Sequence, residues 1–254
     1  MQDGGRRAGE SGFDVSGRDV WIVVPTYDEV ENVLELVTRV RRAVTGAHVL
    51  VVDDASPDGT AAAARNAGAD VLERSGKFGL GAAYRDGFAT ALARGARVVV
   101  QMDADLSHDP AYLPELLSAV FAGADAAIGS RYVPGGDCVE WPRLRQFLSR
   151  WGNRYAAGML GLAVNDATSG FRAYSADVLR RMDVATVRAD GYGFQVEMTH
   201  RLVRAGGRVV EIPIIFRDRE RGTSKLSYRI IGEAFRLVMH LAVRDLRRGH
   251  RRRL

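Results

Sequence analysis

Cysteine is nearly absent: Cys138 is the only one in 254 residues. That excludes an intrachain disulfide and any cysteine-built zinc site, and it fits a reducing compartment. With only five histidines as well, a soft-metal site is not expected. No apolar run reaches the ~20 residues that a membrane-spanning helix needs. The best attempt, IIGEAFRLVMHLAV at 230–243, is broken by Glu233, Arg236 and His240. The opening stretch MQDGGRRAGESGFDVSG has two arginines and no apolar core, so residues 1–18 read as a disordered leader rather than a signal peptide. Internal repeats and long linkers are missing too, which argues for one domain.

Excess charge is missing from most of the chain. From Arg244 onward, RDLRRGHRRRL carries six arginines and one aspartate, a net +5 that equals the formal charge of the whole sequence. The body is therefore balanced and is not a nucleic-acid-binding surface by charge. The tail is a local basic patch: such a patch is ordinarily a solvated end, and its functional alternatives are contact with an anionic membrane surface or with nucleic acid.

Val- and Ile-rich runs at 20–25, 48–54, 69–73, 97–103, 124–130 and 208–216 read as strands. Helical patterns fall at 30–43, 59–67, 80–94, 110–122, 142–160, 175–182, 193–205 and 227–243. This alternation indicates an α/β fold with a mainly parallel sheet flanked by helices. Ligands of such sheets bind at the carboxyl ends of the strands. Three polar clusters sit at such ends: PTYDE at 25–29, DDAS at 53–56 and DAD at 103–105.

Asp103 and Asp105 follow a buried-looking strand, and two carboxylates this close repel unless something compensates them. Asp109-Pro110 already supplies the cap of the next helix, so the pair is free to hold a hard cation, Mg²⁺ or Mn²⁺, beside a diphosphate. Asp53 or Asp54 can accept hydrogen bonds from a base or ribose, whereas Asp58 reads as a cap or turn residue. GKFGLGAAYRDG lacks a full phosphate-loop pattern, so its glycines read as a tight turn and close helix packing. His108 reads as structural, and His200 as a helix-face residue.

PTYDE, DDASPDGT, MDADLSH, GSRY, GGDCVEWPRLRQFLSRWGN, DATSGFRAY and RGTSKL, in that order, resemble the polyprenyl-phosphate (dolichol-phosphate) mannose synthases. These are family 2 glycosyltransferases with the Rossmann-like GT-A fold. The resemblance spans about residues 20 to 230, placing a GT-A domain at 19–226 and an amphipathic helix with basic tail at 227–254. It implies GDP-mannose as donor, a divalent metal and inverting transfer to a polyprenyl phosphate lipid. Pro25, Tyr27 and Glu29 would line the nucleotide pocket, with Val52 and Asp54 near the base. Asp103 and Ala104 would lie against the nucleotide sugar, with Asp105 as principal metal ligand. Ser107 stands where some members carry a glutamine ligand, which leaves a weaker or water-mediated third contact. Arg131, Arg219 and Lys225 would meet donor phosphates.

Both substrates carry phosphate, so basic side chains are needed on chemical grounds alone. Arg145, Ser149 and Asn153 recur every four residues and share a helical face; the resemblance makes that face the acceptor-phosphate site. The catalytic set expected is Asp105, Arg131 and Arg145. An ionised phosphate acceptor needs no dedicated general base. The C-terminal helix and basic tail would rest peripherally on a cytoplasmic leaflet, and many relatives' transmembrane helices would be replaced by a separate membrane subunit. The rivals are a UDP-sugar donor in the same reaction and, more remotely, a DxD phosphatase, whose later acidic cluster is missing here.

Overall fold

The computed structural model describes residues 17–139, 141–217 and 235–245. Four parallel strands build one half of the main sheet: β1 (Val20–Thr26), β2 (His48–Asp53), β3 (Asp70–Glu73) and β4 (Val98–Gln101). Side chains alternate along β1. Val20, Ile22 and Val24 enter one core, while Trp21 and Val23 enter the other, as period-two pleating requires. The first core is covered by α1 (Val30–Ala43), α2 (Thr60–Asn66) and α4 (Leu113–Phe121), the last preceded by a 3₁₀ turn at Pro110–Tyr112. Val33, Leu36, Val37 and Val40 make the buried stripe of α1. The second core is covered by α3 (Leu80–Ala93), α6 (Ala176–Arg181) and α7 (Gly191–Arg204).

The other half holds β5 (Ala126–Ser130), β7 (Arg172–Ser175) and β8 (Val209–Pro213), giving the order β3-β2-β1-β4-β7-β5-β8. β7 was not expected from the sequence. It is antiparallel to both β4 and β5, between which it lies. RAYS is only four residues long and begins with an arginine, so no apolar run announces it. The run at 208–216 is also divided. Its first part is β8, and β9 (Ile215–Arg217) leaves to pair with β6 (Asp137–Val139) in a second small sheet.

α5 (Arg143–Leu160) ends at Gly161, whose φ of 61° is the left-handed closure that favours glycine. A last helix, α8, covers 235–245. Val238 and Leu241 of α8 join Ile128, Ala156, Leu160 and Val196 in a third cluster. Residues 1–16 of the expected 1–18 leader, the start of the expected 227–243 helix and the tail at 246–254 lie outside the described residues; Gly17 and Arg18, assigned to that leader, instead form a 3₁₀ turn with Asp19 ahead of β1. Among the described residues no helix is long and apolar enough to cross a membrane.

Candidate active site

Three loops leave the carboxyl ends of β1, β2 and β4, and each contains a non-glycine residue in the left-handed region: Asp28 (φ 60°), Ala55 (φ 56°) and Leu106 (φ 62°). Such residues cost free energy and persist where surrounding contacts over-determine them. The contacts are visible. Asp53 accepts from Thr26 Oγ1 at 2.9 Å, Ser56 Oγ at 2.6 Å and Ser56 N at 2.9 Å, which locks the first two loops together. Asp58 accepts from Val30 N at 3.1 Å and Thr60 N at 3.0 Å, so it caps α1 and α2 at once. Burial alone would raise its pKa, but these hydrogen bonds with that of the Thr60 hydroxyl hold it below the ordinary value. The cap reading of Asp58 is what the structure has.

Asp103 is held from two sides. Its Oδ1 accepts from Tyr84 Oη at 3.0 Å, and its backbone N–H donates to His108 Nδ1 at 3.1 Å. Burial first, and then the Asp103 charge, push the Tyr84 phenol well above its ordinary pKa, so it remains a donor. His108 is 2% exposed and stacks on Phe171 at 5.1 Å. With Nδ1 committed to the backbone, it is a structural residue. Asp105 is buried and accepts from Ser107 N at 3.1 Å and Ser107 Oγ at 2.6 Å. Gly170 lies beside Asp103 and His108: a Cβ there would stand 3.4 Å from Asp103 Oδ2 and 3.2 Å from His108 Cε1. The donor set is all oxygen, which suits a hard cation. Among the described residues no three His, Cys, Asp or Glu side chains gather into a metal cage, so a cation here would complete its shell with water and diphosphate oxygens.

Arg131 does not point freely at the rim. Nε and Nη2 meet Asp166 at 2.7 Å each, its backbone N–H adds 3.1 Å, and Nη2 also donates to Thr168 Oγ1 at 2.8 Å. Burial opposes both charges, but each outweighs it for the other: Arg131 is raised and Asp166 lowered from their ordinary pKa values. Asn153 extends the network, donating to Thr168 Oγ1 at 3.0 Å and accepting from Thr168 N at 3.1 Å. Ser149 Oγ accepts from Tyr132 Oη at 2.6 Å, and Arg145 lies over the Trp141 ring at 3.9 Å. Spacing placed Arg145, Ser149 and Asn153 on one face, and they share it; Asn153 is buried and the other two half-buried.

The nucleotide side is less uniform. Pro25 is half-buried opposite Val52, and Tyr27 is exposed under Lys77, whose Nζ lies 3.4 Å from the ring centre. Glu29 accepts from Asn32 Nδ2 at 2.8 Å at the start of α1. Val52 and Ala104 send their side chains into the core, so only their backbone can face a ligand. Asp54 is bound by Arg74 and by Phe78 N at 3.2 Å. Arg219 and Lys225 lie outside the described residues. Lys77, Arg74, Tyr84, Asp166 and Gly170 were not singled out from sequence. The basic RSGKFG stretch at the end of β3 was the available signal for the first two.

A family model described as glycosyl transferase family 2 matches residues 21–183. The chain belongs to glycosyl transferase family 2. An undecaprenyl-phosphate mannosyltransferase of Micrococcus luteus is 51% identical over 220 residues, covering 85% of this chain and 90% of the relative. A polyprenol monophosphomannose synthase of Mycolicibacterium smegmatis is 48% identical over 229 residues, covering 88% and 86%. Within family 2 the chain therefore stands among the polyprenyl-phosphate mannose synthases, as its ordered motifs implied, and the phosphatase alternative falls. Glucosyl-3-phosphoglycerate synthase of Mycobacterium tuberculosis, solved with Mn²⁺, UDP-glucose and phosphoglyceric acid, matches with a TM-score of 0.68 at 19% identity, covering 93% of this chain and 86% of that one. That likeness shows the GT-A fold of family 2 glycosyltransferases.

Proposed function

We propose that this glycosyltransferase moves mannose from GDP-mannose to a polyprenyl monophosphate, inverting the anomeric carbon and releasing GDP. The reading is carried by the oxygen-only pair Asp103 and Asp105 at the end of β4, in a chain 51% identical to a mannosyltransferase named for undecaprenyl phosphate. Asp103 and Asp105 hold Mg²⁺ or Mn²⁺, and Ser107 orients Asp105 while adding a water-mediated contact. When bound, such a cation neutralises charge developing on the departing diphosphate. Pro25, Tyr27, Glu29 and Asp54, with the backbone of Val52 and Ala104, form the nucleotide pocket. Arg219 and Lys225 meet donor phosphates.

Arg145 and Ser149 take the acceptor phosphate. Arg131 and Asn153 position it from within the Asp166–Thr168 network, so Arg131 is a positioning residue rather than a free phosphate clamp. The acceptor oxygen is already anionic at neutral pH, and direct displacement then needs alignment more than a base. The enzyme works peripherally at a cytoplasmic leaflet, with its tail on anionic lipid and a separate membrane subunit beside it.

The test is transfer of labelled mannose from GDP-mannose to a polyprenyl phosphate in detergent, with Mg²⁺ or Mn²⁺ and with EDTA, beside UDP-glucose. Metal-dependent label in an organic-extractable product from GDP-mannose alone supports the proposal, and Asp105→Ala is expected to lower it on the order of a thousandfold with an unchanged circular dichroism spectrum. Label from UDP-glucose instead would overturn the donor. Undiminished turnover of Asp105→Ala would remove the metal assignment.

A further inference from the structure

At the rim of the sheet opposite Asp103 and Asp105, α7, α8 and the segment between α6 and α7 enclose a cavity of about 760 Å³. Arg181 on its wall binds Asp125, which also accepts from Arg208 N at 2.8 Å. Those contacts stand at the amino ends of β5 and β8, whereas the two aspartates follow the carboxyl end of β4. None of Arg131, Arg145, Ser149 and Asn153 lines this cavity, so it is separate from the acceptor-phosphate site.

The wall carries more positive charge than the fold uses. Arg201 is fully engaged: Nε and Nη2 hold Glu197 Oε1 at 3.0 and 2.7 Å, and Nη1 donates to Thr186 Oγ1 at 2.7 Å. Arg204 is tied to Asp245 at 2.6 Å. Arg188, Arg244 and His240 also line the cavity, and among the described residues their side chains have no partner. The remaining carboxylate on the wall, Asp183, is exposed.

Two polar atoms of the lining residues are both buried and unmatched: His200 Nδ1 and Arg244 Nε. Buried polar groups in folded proteins are almost always paired, so such atoms call for an ion, a ligand or water. His200 is 2% exposed, and its Nε2 lies 2.8 Å from Asp245 Oδ2. Burial works against the Asp245 charge, but His200 and Arg204 hold its carboxyl below the ordinary value. An ionised carboxylate only accepts, so the proton of that contact sits on Nε2. Nδ1 is then a lone pair in the neutral ring and a donor in the imidazolium. An anion in the cavity and a proton on His200 therefore favour each other.

We propose that this cavity binds a small phosphate monoester, whose dianionic phosphoryl group is held by Arg188, Arg244 and His200. Arginine suits phosphoryl oxygens because its planar fork donates in pairs, and two arginines match a dianion better than a monoanionic diester. The volume is that of a small-molecule pocket, which leaves room for a sugar- or nucleoside-sized remainder. The groups facing His200 are Asp245, His240 and Arg244 from α8, Glu197, Arg201 and Arg204 from α7, and Asp183 and Arg188 from the connecting segment. Of these only His240 is of a type that titrates between about pH 5 and 8.

The probe is sulfate, which keeps both charges across this range. It is titrated calorimetrically into the full chain in EDTA, at an ionic strength fixed with sodium chloride. Arg188→Gln with Arg244→Gln is expected to weaken binding about tenfold or more per arginine, with an unchanged circular dichroism spectrum, and Arg145→Gln to leave it as it is. Affinity is expected to rise as pH falls from about 8 to about 6; His200→Gln should lose that rise and His240→Gln keep it. Arg188 is exposed, so Arg188→Gln alone keeps the test open should His200→Gln not fold. Sulfate binding that survives the double arginine variant would overturn the proposal, and its loss in Arg145→Gln would then place the anion in the acceptor site. Absence of binding by the folded parent would overturn it too. Dimethyl phosphate bound as tightly as sulfate would replace the monoester with a phosphodiester. A pH response unchanged in His200→Gln would remove His200 from the site. The titration needs neither metal nor turnover, so failure of mannose transfer would sink the proposed activity without touching this result.

Discussion

Asp103 shows how one carboxylate is aimed. Tyr84 from α3 holds its Oδ1, His108 holds its backbone N–H, and Gly170 leaves room for the oxygen that remains. A hydrogen bond to a charged group contributes about 1.5–3 kcal/mol, enough to fix one rotamer. Tyr84→Phe keeps the ring stack with Phe194 at 5.6 Å and removes only the hydroxyl. We expect kcat to fall roughly 10-fold or more, with a small change in Tm and an increased divalent-cation concentration at half-maximal activity. A metal titration of turnover checks this; an unchanged titration would make Tyr84 a packing residue only. Tyr84 and Asp103 are 19 positions apart, and Arg131 and Asp166 are 35 apart. No local pattern encodes such pairs, so these partners were not legible, whereas the DAD carboxylates stood out as polar residues after an apolar run.

At the scale of elements, the start of α3 is set by close approach. Gly79 has a φ of 94° and sits against the Asp190 carboxylate, while a Cβ on Gly81 would stand 2.5 Å from the Ala189 carbonyl oxygen. Asp190 accepts from Gly81 N at 2.6 Å and Gly191 N at 2.8 Å, joining the first turns of α3 and α7. The glycine-rich GKFGLG stretch was expected to serve packing, and it does. Gly81→Ala is expected to cost about 1–3 kcal/mol, seen as a Tm lowered by several degrees, and to reduce activity because Tyr84 rides on the same helix. Full activity with a lowered Tm would show that the site tolerates the shift. Long periodic helices and buried parallel strands were readable because their burial repeats. β6 and β7 were not, because neither three- or four-residue strand carries an apolar run, and β9 was read only as the end of the 208–216 run.

For the molecule as a whole, the Arg131–Asp166 pair fastens β5 to the loop that leads into β7. Truncating Asp166 to alanine leaves a buried guanidinium unpaired, which is expected to cost about 3–5 kcal/mol. The pH dependence follows from Asp166's depressed pKa. Its contribution is present above the ordinary carboxylate pKa and is lost as pH falls through the lower folded value. The stability gap between wild type and Asp166→Ala should therefore be constant from neutral pH to about pH 4 and shrink below that. Urea midpoints measured down the acid range check it, and a gap that widened on acidification would refute the ion-pair account.

β7 also dictates an order of assembly. It lies in the middle of the sheet but comes after β1 to β5 in the chain. Until residues 172–175 emerge and insert, β4 and β5 each present an open edge, and the two halves of the sheet have no seam. Val98 pairs with Ser175, a contact between residues far apart in sequence, and such closures are slow. A nascent chain halted before Arg172 would thus carry three sticky strand edges, one on β4 and both on β5, whose other neighbour β8 is later still, which makes this stretch of synthesis a step exposed to misassociation.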